Sequence, residues 1–281
     1  MKFCFIILHY KNLKDTLECI DSINNIITRS DYKIIVVDNG SNDASTLHLK
    51  NIMIKNFFDI EIIFSKENLG FAKGNNLGSD FAIKKYAPKY LIIINNDTII
   101  NDSNFLDKIE ESYSESEFDI LGPYIEGSDH KPQNPYHVVG LEKKKVIWSI
   151  IKNRICILLE IFNLSFFRKI FQKNKELSYD CNNKIFNIPL MGAALIFSKK
   201  YYSLYKQVFY PNTFMYCEED ILYFFIKKDK LISFYNPQIK IYHKMESTTI
   251  QINGSLKNKN LFKLREKYKS LKILLKLLMK Y

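Results

Sequence analysis

Residues 90–100 read YLIIINNDTII, and the character of the chain changes abruptly within this stretch. Four consecutive apolar residues, Leu91–Ile94, are followed directly by Asn95, Asn96 and Asp97. A continuous apolar run is typical of a strand that is buried on both faces. Packing does not require three polar side chains at the end of such a strand. We therefore expect a ligand or a cation beside them.

The sequence before this stretch alternates strands with helices. Apolar runs predict strands at residues 2–8, 33–37, 60–64 and 90–94. The first helix begins at Asn12, with Asp15 three residues later, and helices are also expected at 44–56 and 71–86. Strand and helix repeated three times predict an α/β fold with a parallel sheet and right-handed crossovers.

Polar turns follow the second, third and fourth strands. They read DNGS at residues 38–41, ENLG at 67–70 and NNDT at 95–98. In an open parallel sheet, ligands bind beyond the carboxyl ends of the strands, so these turns are expected to meet at one binding edge. Asp, Asn and Gly also form ordinary turns. That explanation is adequate for one turn and weaker for three on the same edge.

The amino-acid composition narrows the possible classes of protein and of binding partner. The 281 residues are 47% hydrophobic, which indicates a globular chain, and the formal net charge of +11 favours acidic partners. The five cysteines form no CxxC pair, which indicates reduced thiols in a cytoplasmic compartment and argues against zinc. Residues 1–10 read as a first strand and not as a signal peptide. No apolar stretch reaches the roughly 20 residues needed to span a bilayer.

The middle of the chain is less informative. Residues 143–171 alternate apolar and basic side chains, with interruptions at Lys152, Arg154 and Glu160. Three placements remain open for this segment: core, a flap that covers an acceptor, or an amphipathic surface element. Residues 186–197 are expected to form one strand. Residues 232–242 are expected to form an edge strand that is interrupted by Asn236–Pro237 and ends at His243.

The C-terminal segment, residues 256–281, is predicted to be a basic amphipathic helix. It holds nine Lys or Arg and one Glu, a net charge of +8, whereas the remaining 255 residues sum to +3. The residues expected on its apolar face are Leu261, Leu264, Tyr268, Leu271, Leu275 and Leu278. Those expected on the adjacent basic stripe are Arg265, Lys269, Lys272, Lys276 and Lys280. Such a helix either binds an anionic membrane or packs its leucines on the rest of the protein.

Two groups of side chains have the character of a reactive site. Asp97 is the natural ligand for Mg²⁺ or Mn²⁺ at the end of its strand. Residues 218–220 are three consecutive acids beside the apolar stretch Phe214–Tyr216, where desolvation would raise a carboxylate pKa as a general base requires. Acids are also favoured at helix starts for electrostatic reasons alone. His243 is either structural or a metal ligand.

Six segments, taken in order, resemble the family 2 inverting glycosyltransferases of GT-A fold that build bacterial polysaccharides and lipooligosaccharides, in particular a rhamnosyltransferase-like branch. They are VVDNGSNDAS (36–45), ENLGFAKGNN (67–76), LIIINNDT (91–98), GAALIF (192–197), FMYCEED (214–220) and IYHK (241–244). The resemblance covers about residues 2–245. It implies a GT-A catalytic domain at 1–255, with a nucleotide-sugar half at about 1–122 and an acceptor half at about 123–255, followed by the C-terminal helix at 256–281.

The resemblance also implies roles for individual residues. The predicted nucleotide-binding residues are His9, Asp38, Asn68, Gly70, Lys73, Asn75 and Asn96. Asn95–Asp97 stands where the family has its metal-binding DXD motif, with the first acid replaced by Asn, which leaves Asp97 as the main ligand and His243 as a second. Glu219 or Asp220 would be the catalytic base, and we favour Glu219.

The implied reaction moves a sugar from a UDP- or dTDP-linked donor to a hydroxyl of a glycan or of a lipid-linked oligosaccharide, with Mg²⁺ or Mn²⁺ as cofactor. We expect no nucleic acid partner, and we place the enzyme on the inner face of the cytoplasmic membrane through its basic C-terminal helix. One alternative is a sugar nucleotidyltransferase, but the segment after the first strand, HYKNLKD, lacks the Gly-rich basic loop of that class. Another alternative is an inactive carbohydrate-binding subunit, against which the retained Asp97 and Glu219 argue.

Overall fold

The structure is a computed structural model, and it describes residues 1–55, 59–136, 138–164, 166–167, 179–245 and 255–281. Four strands alternate with three helices in its first part. In chain order these are β1 (Phe3–His9), α1 (Leu13–Ile26), β2 (Tyr32–Asp38), α2 (Ala44–Lys55), β3 (Ile60–Phe64), α3 (Gly70–Tyr86) and β4 (Tyr90–Asn95). The predicted strands and helices of this part are confirmed. The expected end of α2 at Asn56 lies outside the described residues.

The second part is less regular. In chain order its elements are β5 (Thr98–Ile99), α4 (Phe105–Ser116), β6 (Ile120–Gly127), α5 (Lys143–Ile161), β7 (Ile185–Phe186), β8 (Ala194–Ser198), α6 (Lys199–Leu204), α7 (Glu218–Lys228), β9 (Ser233–His243) and α8 (Leu256–Lys280). The acids at 218–220 form the first turn of α7, as predicted.

The strands of the described residues form one sheet in the order β3-β2-β1-β4-β8-β6-β9-β5, and β7 also pairs with β9. β3, β2, β1 and β4 are parallel to one another. β8 is antiparallel to both β4 and β6, and β9 is parallel to β6. The fold is therefore the expected α/β architecture, a mostly parallel central sheet flanked by helices.

Successive side chains of β1 supply the cores on the two faces of this sheet. Phe3, Phe5 and Ile7 belong to one hydrophobic cluster, and Cys4 and Ile6 belong to the other. Each of the five is fully buried. Because side chains alternate between the two faces of a strand, a strand covered on both faces must be apolar at every position. The continuous apolar runs in the sequence have this origin.

The expectation of a single strand over residues 186–197 is wrong. β7 ends at Phe186 and β8 begins at Ala194, and the segment between them leaves the ladder. Its backbone groups bond elsewhere: the Pro189 carbonyl accepts from Tyr136 N at 3.0 Å, and Met191 N donates to Asn134 Oδ1 at 3.0 Å. These tertiary partners satisfy the backbone groups that a strand would have paired.

The expectation of an edge strand over residues 232–242 is also wrong. β9 has β6 on one side over its length and the short strands β7 and β5 on the other. Pro237 is accommodated because the β6–β9 register shifts between Pro123 and Tyr124, whose partners are Asn236 and Lys240. A proline within a sheet is tolerated at such an irregularity, where no ladder hydrogen bond is lost.

Residues 143–161 form a surface helix, so the core placement that was left open is wrong for this part of the segment. α5 buries Val146, Asn153, Cys156 and Glu160. Large apolar side chains on its other side are exposed, and Trp148 has 69% of its surface accessible. Residues 168–171 of the same segment lie outside the described residues. None of the helices in the described part of the chain has the length and apolar character of a membrane-spanning segment.

The predicted C-terminal helix is confirmed as α8, and it shares a hydrophobic cluster with the rest of the protein. The members of that cluster are Val146, Cys217, Ile221, Phe224, Leu271, Leu274, Leu277 and Leu278. Leu261, Leu264, Tyr268 and Leu275 of the predicted apolar face are only partly buried. The buried row therefore lies on the C-terminal half of α8, and its leucines pack on α5 and α7. This is one of the two placements that the sequence left open.

Leu274→Ala should destabilise the protein by about 2–5 kcal/mol, because Leu274 is fully buried in this cluster and its truncation leaves a cavity. The matched control is Leu256→Ala in the same helix, where 76% of the side chain is exposed, and a change within about 0.5 kcal/mol is expected there. Urea unfolding followed by circular dichroism measures both. Equal stability of the two variants would contradict the packing of α8 on the protein.

Candidate active site

The polar strand ends lie side by side at the carboxyl edge of the parallel strands. The β1–β2 register pairs His9 with Asp38, and the β1–β4 register pairs Leu8 with Asn95. The turn after β2 and the turn after β4 therefore leave the sheet on either side of β1. This confirms the expectation that the polar turns meet at one edge of the sheet.

Asn39 joins the turns that follow β2 and β3. Its Oδ1 accepts a hydrogen bond from Leu69 N at 2.9 Å, and its Nδ2 donates to Asn68 Oδ1 at 3.1 Å and to Gly70 O at 3.2 Å. Asn68 Oδ1 also accepts from Gly70 N at 2.9 Å. Sequence reasoning missed Asn39, because an Asn directly after a strand is equally well explained as an ordinary turn residue.

Gly70 allows the start of α3 to touch the loop before α7. Its φ is +78°, and a Cβ at this position would overlap the carbonyl oxygen of Phe214. Phe71 N donates to that same oxygen at 2.7 Å. The two sequence segments predicted to bind the nucleotide and to supply the base are therefore in direct backbone contact.

Asp38 is buried at the end of β2 and organises the turn after it. Its Oδ1 accepts from Ser41 N at 3.0 Å, and its Oδ2 accepts from Thr46 Oγ1 at 2.6 Å. A carboxylate offers about four lone-pair sites, so both oxygens can accept a further bond. This arrangement is compatible with the predicted contact to a nucleobase, which stays a prediction.

His9 and Asn96 are buried links between strand ends and helices. His9 Nδ1 lies 2.7 Å from Thr16 Oγ1, and its Nε2 lies 2.9 Å from Ser45 Oγ. Asn96 Nδ2 donates to the same Thr16 Oγ1 at 3.0 Å. Burial lowers the pKa of His9, which favours the neutral imidazole in such a link. Their predicted contacts with a nucleotide are untested, and the observed bonds give both residues a supporting position.

The remaining predicted nucleotide residues lie on α3. Lys73 is exposed. Asn75 is buried: its Nδ2 donates to Phe71 O at 3.0 Å, and its Oδ1 accepts no hydrogen bond from the described residues. The next residue, Asn76, exchanges two bonds with the backbone of Phe209, at 2.8 and 2.9 Å. Asn76 thereby anchors the nucleotide-sugar half to the segment that leads to α7.

Asp97 and His243, which are far apart in sequence, meet at the end of β9. The β5–β9 register pairs Thr98 with His243. As a result, His243 Nε2 lies 3.1 Å from Asp97 Oδ1, and both side chains are buried. Gln133 Oε1 lies 2.8 Å from His243 Nδ1, and Lys244 N donates to the Asp97 carbonyl at 3.0 Å. The structure thus brings together the two predicted metal ligands.

This pair fits a divalent cation with two protein ligands. The donors are a carboxylate oxygen and an imidazole nitrogen, both of which bind Mn²⁺, and Mg²⁺ prefers the oxygen. Gln133 holds the second ring nitrogen of His243, as outer partners of metal-binding histidines usually do. In the described part of the chain, no group of three or more His, Cys, Asp or Glu side chains is arranged to hold a metal. Phosphate oxygens and water would have to complete the coordination.

The three acids of α7 differ in their surroundings. Asp220 is 1% exposed, and its Oδ1 accepts from Val139 N at 2.6 Å. Glu218 is 6% exposed. Glu219 remains partly exposed, and its Oε1 accepts from Gly192 N at 3.3 Å. Of these three acidic residues, Glu219 is the most exposed.

Burial perturbs the ionisation of this cluster. Desolvation raises the pKa of Glu219 to about 7. Desolvation and the neighbouring Glu219 charge raise the pKa of Glu218 to about 8. Burial also raises the pKa of Tyr136, and the nearby Glu219 and Asp220 charges add to this shift. A carboxylate with a pKa near neutrality is well suited to accept a proton.

The segment before β8 places Glu219 beside the strand ends. Ala193 O accepts from Asn95 N at 2.9 Å, directly next to the Gly192 N–H that bonds Glu219. A Cβ at Gly192 would lie 2.8 Å from Glu219 Oε1, so a larger residue here would displace the Glu219 carboxylate. The base candidate and the end of β4 are therefore separated by a single short stretch of backbone.

Sequence reasoning also missed the loop after β6, residues 132–136, which lies beside both His243 and Glu219. Gln133 contacts His243, and Tyr136 lies close to Glu219. Between them, the buried Asn134 donates to Pro123 O at 2.8 Å and accepts from Met191 N. An amide pair between two prolines, PQNP, was the available signal.

The family model described as Glycosyl transferase family 2 matches residues 4–182, which is more than half of the chain. The chain belongs to glycosyl transferase family 2. It is accordingly a glycosyltransferase with a nucleotide-sugar donor. The matched range includes the polar strand ends and the start of α3, whereas the acids of α7 and His243 lie beyond it.

Solved structures of S. aureus TarS have a similar fold. The crystal structure of TarS residues 1–349 is 15% identical, with a TM-score of 0.54, and the match covers 96% of this chain and 72% of that one. The same fragment in complex with UDP is 14% identical, with a TM-score of 0.53 and the same coverage. At this identity the likeness shows the fold alone, which is the GT-A fold that the sequence resemblance implied. The comparison with curated proteins found no match.

Gly70→Ala should abolish donor binding or lower it by at least about tenfold, because the new Cβ would displace the Phe214 carbonyl and strain the backbone at φ +78°. Calorimetric titration with UDP measures this. The matched control is Gly140→Ala, which shares a positive φ of +102° but would meet only the flexible side chain of Lys145. If both variants bind UDP equally well, the contact between α3 and the Phe214 loop is not required.

Proposed function

We propose that this chain is an inverting glycosyltransferase of bacterial cell-surface polysaccharide synthesis. It moves a hexosyl or deoxyhexosyl group from a UDP- or dTDP-linked donor to a hydroxyl of a glycan. The observation that carries the proposal is the position of Glu219, partly exposed at the same sheet edge as the polar strand ends. The rhamnosyltransferase-like branch that the sequence resembles would correspond to a deoxyhexosyl donor.

The nucleotide is proposed to bind across the turns that follow β2 and β3. Asp38 and the Asn39–Asn68 hydrogen bond shape this surface. The buried Asn75 Oδ1 offers an acceptor for which the described residues supply no donor. Because TarS was solved in complex with UDP, a UDP-sugar is the first donor to test, followed by dTDP-sugars.

Asp97 and His243 are proposed to hold Mg²⁺ or Mn²⁺ beside the diphosphate. Gln133 fixes the ring of His243, and the Lys244 backbone fixes the Asp97 turn. The chemistry supplied by such a cation would be neutralisation of the negative charge on the departing diphosphate. The imidazole ligand favours Mn²⁺ over Mg²⁺ as the first cation to test.

Glu219 is proposed to act as the general base. Its carboxylate accepts the proton of the acceptor hydroxyl, and the hydroxyl oxygen attacks the anomeric carbon of the sugar. The bond from that carbon to the diphosphate oxygen breaks, so the nucleoside diphosphate leaves and the anomeric configuration inverts. Glu218 and Asp220, both buried, are proposed to support the turn. The Asp220 charge also adds to the desolvation that raises the pKa of Glu219.

The acceptor is proposed to be a lipid-linked oligosaccharide, with the enzyme peripheral on the inner face of the cytoplasmic membrane. The basic residues of α8 (Arg265, Lys269, Lys272, Lys276 and Lys280) are exposed, opposite the packed leucines. Each basic residue near an anionic surface contributes about 1 kcal/mol. Because the leucines are used in packing, the contribution of α8 to membrane binding would be electrostatic.

Glu219→Gln should lower transfer by about 10²-fold or more while UDP still binds, since general-base help typically contributes about 10²–10⁴-fold. In the unaltered protein, the rate should rise as the pH increases through about 7, the pKa of Glu219, because only the carboxylate form accepts a proton. The measurement is release of nucleoside diphosphate from UDP- and dTDP-sugars, with bacterial lipid extract as the acceptor source.

The matched control for this prediction is Asp220→Asn. Its amide oxygen can still accept the Val139 N–H bond, so most of the activity should remain. If Asp220→Asn is inactive and Glu219→Gln is active, the general base is Asp220 and not Glu219. If both variants are active, the acids of α7 are only a feature of the helix start.

Asp97→Asn should lower Mn²⁺-dependent transfer by about 10²-fold or more, since even outer partners of metal ligands contribute about 10–100-fold to metal affinity. The melting temperature without metal should change little. A second readout is the Mn²⁺-dependent rise in melting temperature in the presence of UDP, which the variant should lose. Asp59→Asn is the control, because that carboxylate is 83% exposed before β3, at the opposite end of the sheet. Near-normal turnover of Asp97→Asn would remove the metal assignment.

A further inference from the structure

The outward face of α5 carries a continuous row of exposed apolar side chains, which we call the α5 ridge. Its members are Ile147, Trp148, Ile151, Ile155, Leu158 and Phe162. At 3.6 residues per turn they fall within an arc of about 100°. The centre of this arc is opposite Val146, Asn153 and Glu160, which are buried. The ridge is therefore a second apolar face, distinct from the one that packs on the protein.

The α5 ridge is too long to be a chance exposure of single residues. From Ile147 to Phe162 it extends about 22 Å along the helix axis. Trp148 and Phe162, near its two ends, are 69% and 68% exposed. Three further exposed apolar residues follow the helix: Leu164, Phe166 and Phe167. A contiguous apolar surface of this kind marks a site of interaction.

Basic residues surround the ridge. On the helical wheel, Lys152 lies on one side of it and Arg154 on the other, and both are exposed. Lys143–Lys145 form the first turn of the same helix. Together α5 and α8 hold 14 Lys or Arg and two Glu, a net charge of +12, whereas all other residues of the chain sum to −1. The net positive charge of this protein is thus located on α5 and α8.

The two helices pack side by side in opposite directions. Val146, at the start of α5, shares a cluster with Leu274 and Leu277, near the end of α8. At the other end of α5, Ile161 O accepts from Lys257 Nζ at 3.0 Å. The exposed basic stripe of α8 lies opposite its packed leucines and therefore faces away from α5. The basic side chains that adjoin the ridge are those of α5 itself, so the apolar and the cationic character are combined on this one helix.

We propose that the α5 ridge inserts into the interfacial region of an anionic lipid bilayer. Helices that lie in this region combine a basic polar face with Trp, Phe and Leu on the other face and have low net hydrophobicity. Trp148 and Phe162 would lie among the acyl chains near the headgroups, and the basic residues of α5 on either side of the ridge would contact the phosphates. A protein partner with an apolar groove would not by itself account for the basic residues that flank the ridge on both sides.

This inference rests on the membrane location proposed above and refines it by assigning the inserted surface to α5, whose own basic residues flank the ridge. It does not depend on glycosyl transfer, and its test uses neither donor nor metal. Failure of the insertion would therefore leave the assignments of Glu219 and Asp97 intact.

Trp148 is the single tryptophan of the chain, so the fluorescence of the unaltered protein reports on the surroundings of the α5 ridge. With vesicles of phosphatidylglycerol and phosphatidylethanolamine, its emission should shift to shorter wavelength. Lipids brominated on the acyl chain should quench it, and iodide in the water should quench it less than in the free protein. With pure phosphatidylcholine vesicles the shift should be much smaller, and added salt should reverse the binding to anionic vesicles.

Paired variants separate the ridge from the charge. Ile151→Ser with Ile155→Ser should lower the partition coefficient onto anionic vesicles by about tenfold or more, as apolar area is removed from the inserted face. The matched control is Leu47→Ser with Ile54→Ser on α2, two apolar residues that are 63% and 76% exposed, and binding should not change. Lys152→Glu with Arg154→Glu, which flank the ridge, should weaken binding, while the spectrum of the bound fraction stays shifted.

Two outcomes would overturn the proposal. In the first, the protein sediments with vesicles but Trp148 remains accessible to iodide and insensitive to brominated lipid, which places the contact elsewhere. In the second, the emission shifts as protein concentration rises without lipid, and light scattering shows a dimer that the ridge variant does not form. The ridge would then be an interface between two copies of the chain. The fluorescence of the unaltered protein decides the question even if the ridge variant does not fold.

Discussion

Three successive residues before β8 hold the site together through their backbone. Met191 N bonds Asn134, Gly192 N bonds Glu219, and Ala193 O accepts from Asn95 N. These bonds tie the loop after β6, the first turn of α7 and the end of β4 to one short segment. Because β8 is antiparallel to β4, this segment enters the sheet at the edge where the parallel strands end. The position of the base relative to the strand ends follows from this reversed strand.

Much of the chain from β1 to β4 follows from local rules. Continuous apolar runs identified the four parallel strands, since each is covered on both faces, and parallel pairing forces their polar turns onto one edge. The meeting of Asp97 with His243 is different in kind. It depends on the pairing of β5 with β9, which no local pattern specifies. The resemblance to a family, and not periodicity, brought these two residues together before the structure did.

The site residues that sequence reasoning missed are mainly loop residues of common types, which form hydrogen bonds to groups that are distant in sequence. Asn39, Gln133 and Asn134 act through hydrogen bonds to distant backbone or side-chain groups, and an Asn or Gln in a loop has no distinctive local pattern. The same limit explains the two strand errors. Residues 187–193 are apolar enough for a strand, but their backbone groups form hydrogen bonds with residues of the candidate site and not with a neighbouring strand. Pro237 resembles an edge marker, but a register shift accommodates it within the sheet.

α8 connects its basic surface to the loop that precedes α7. Ser270 Oγ donates to Met215 O at 3.0 Å, and the ring of Phe262 packs edge-on against Phe214. The Phe214 carbonyl in turn accepts from Phe71 N at the start of α3. The helix that bears the exposed lysines is thus in contact with the loop that precedes Glu219, and that loop is in contact with the start of α3. Any surface that binds α5 and α8 is thereby held in a defined position relative to the active-site edge of the sheet.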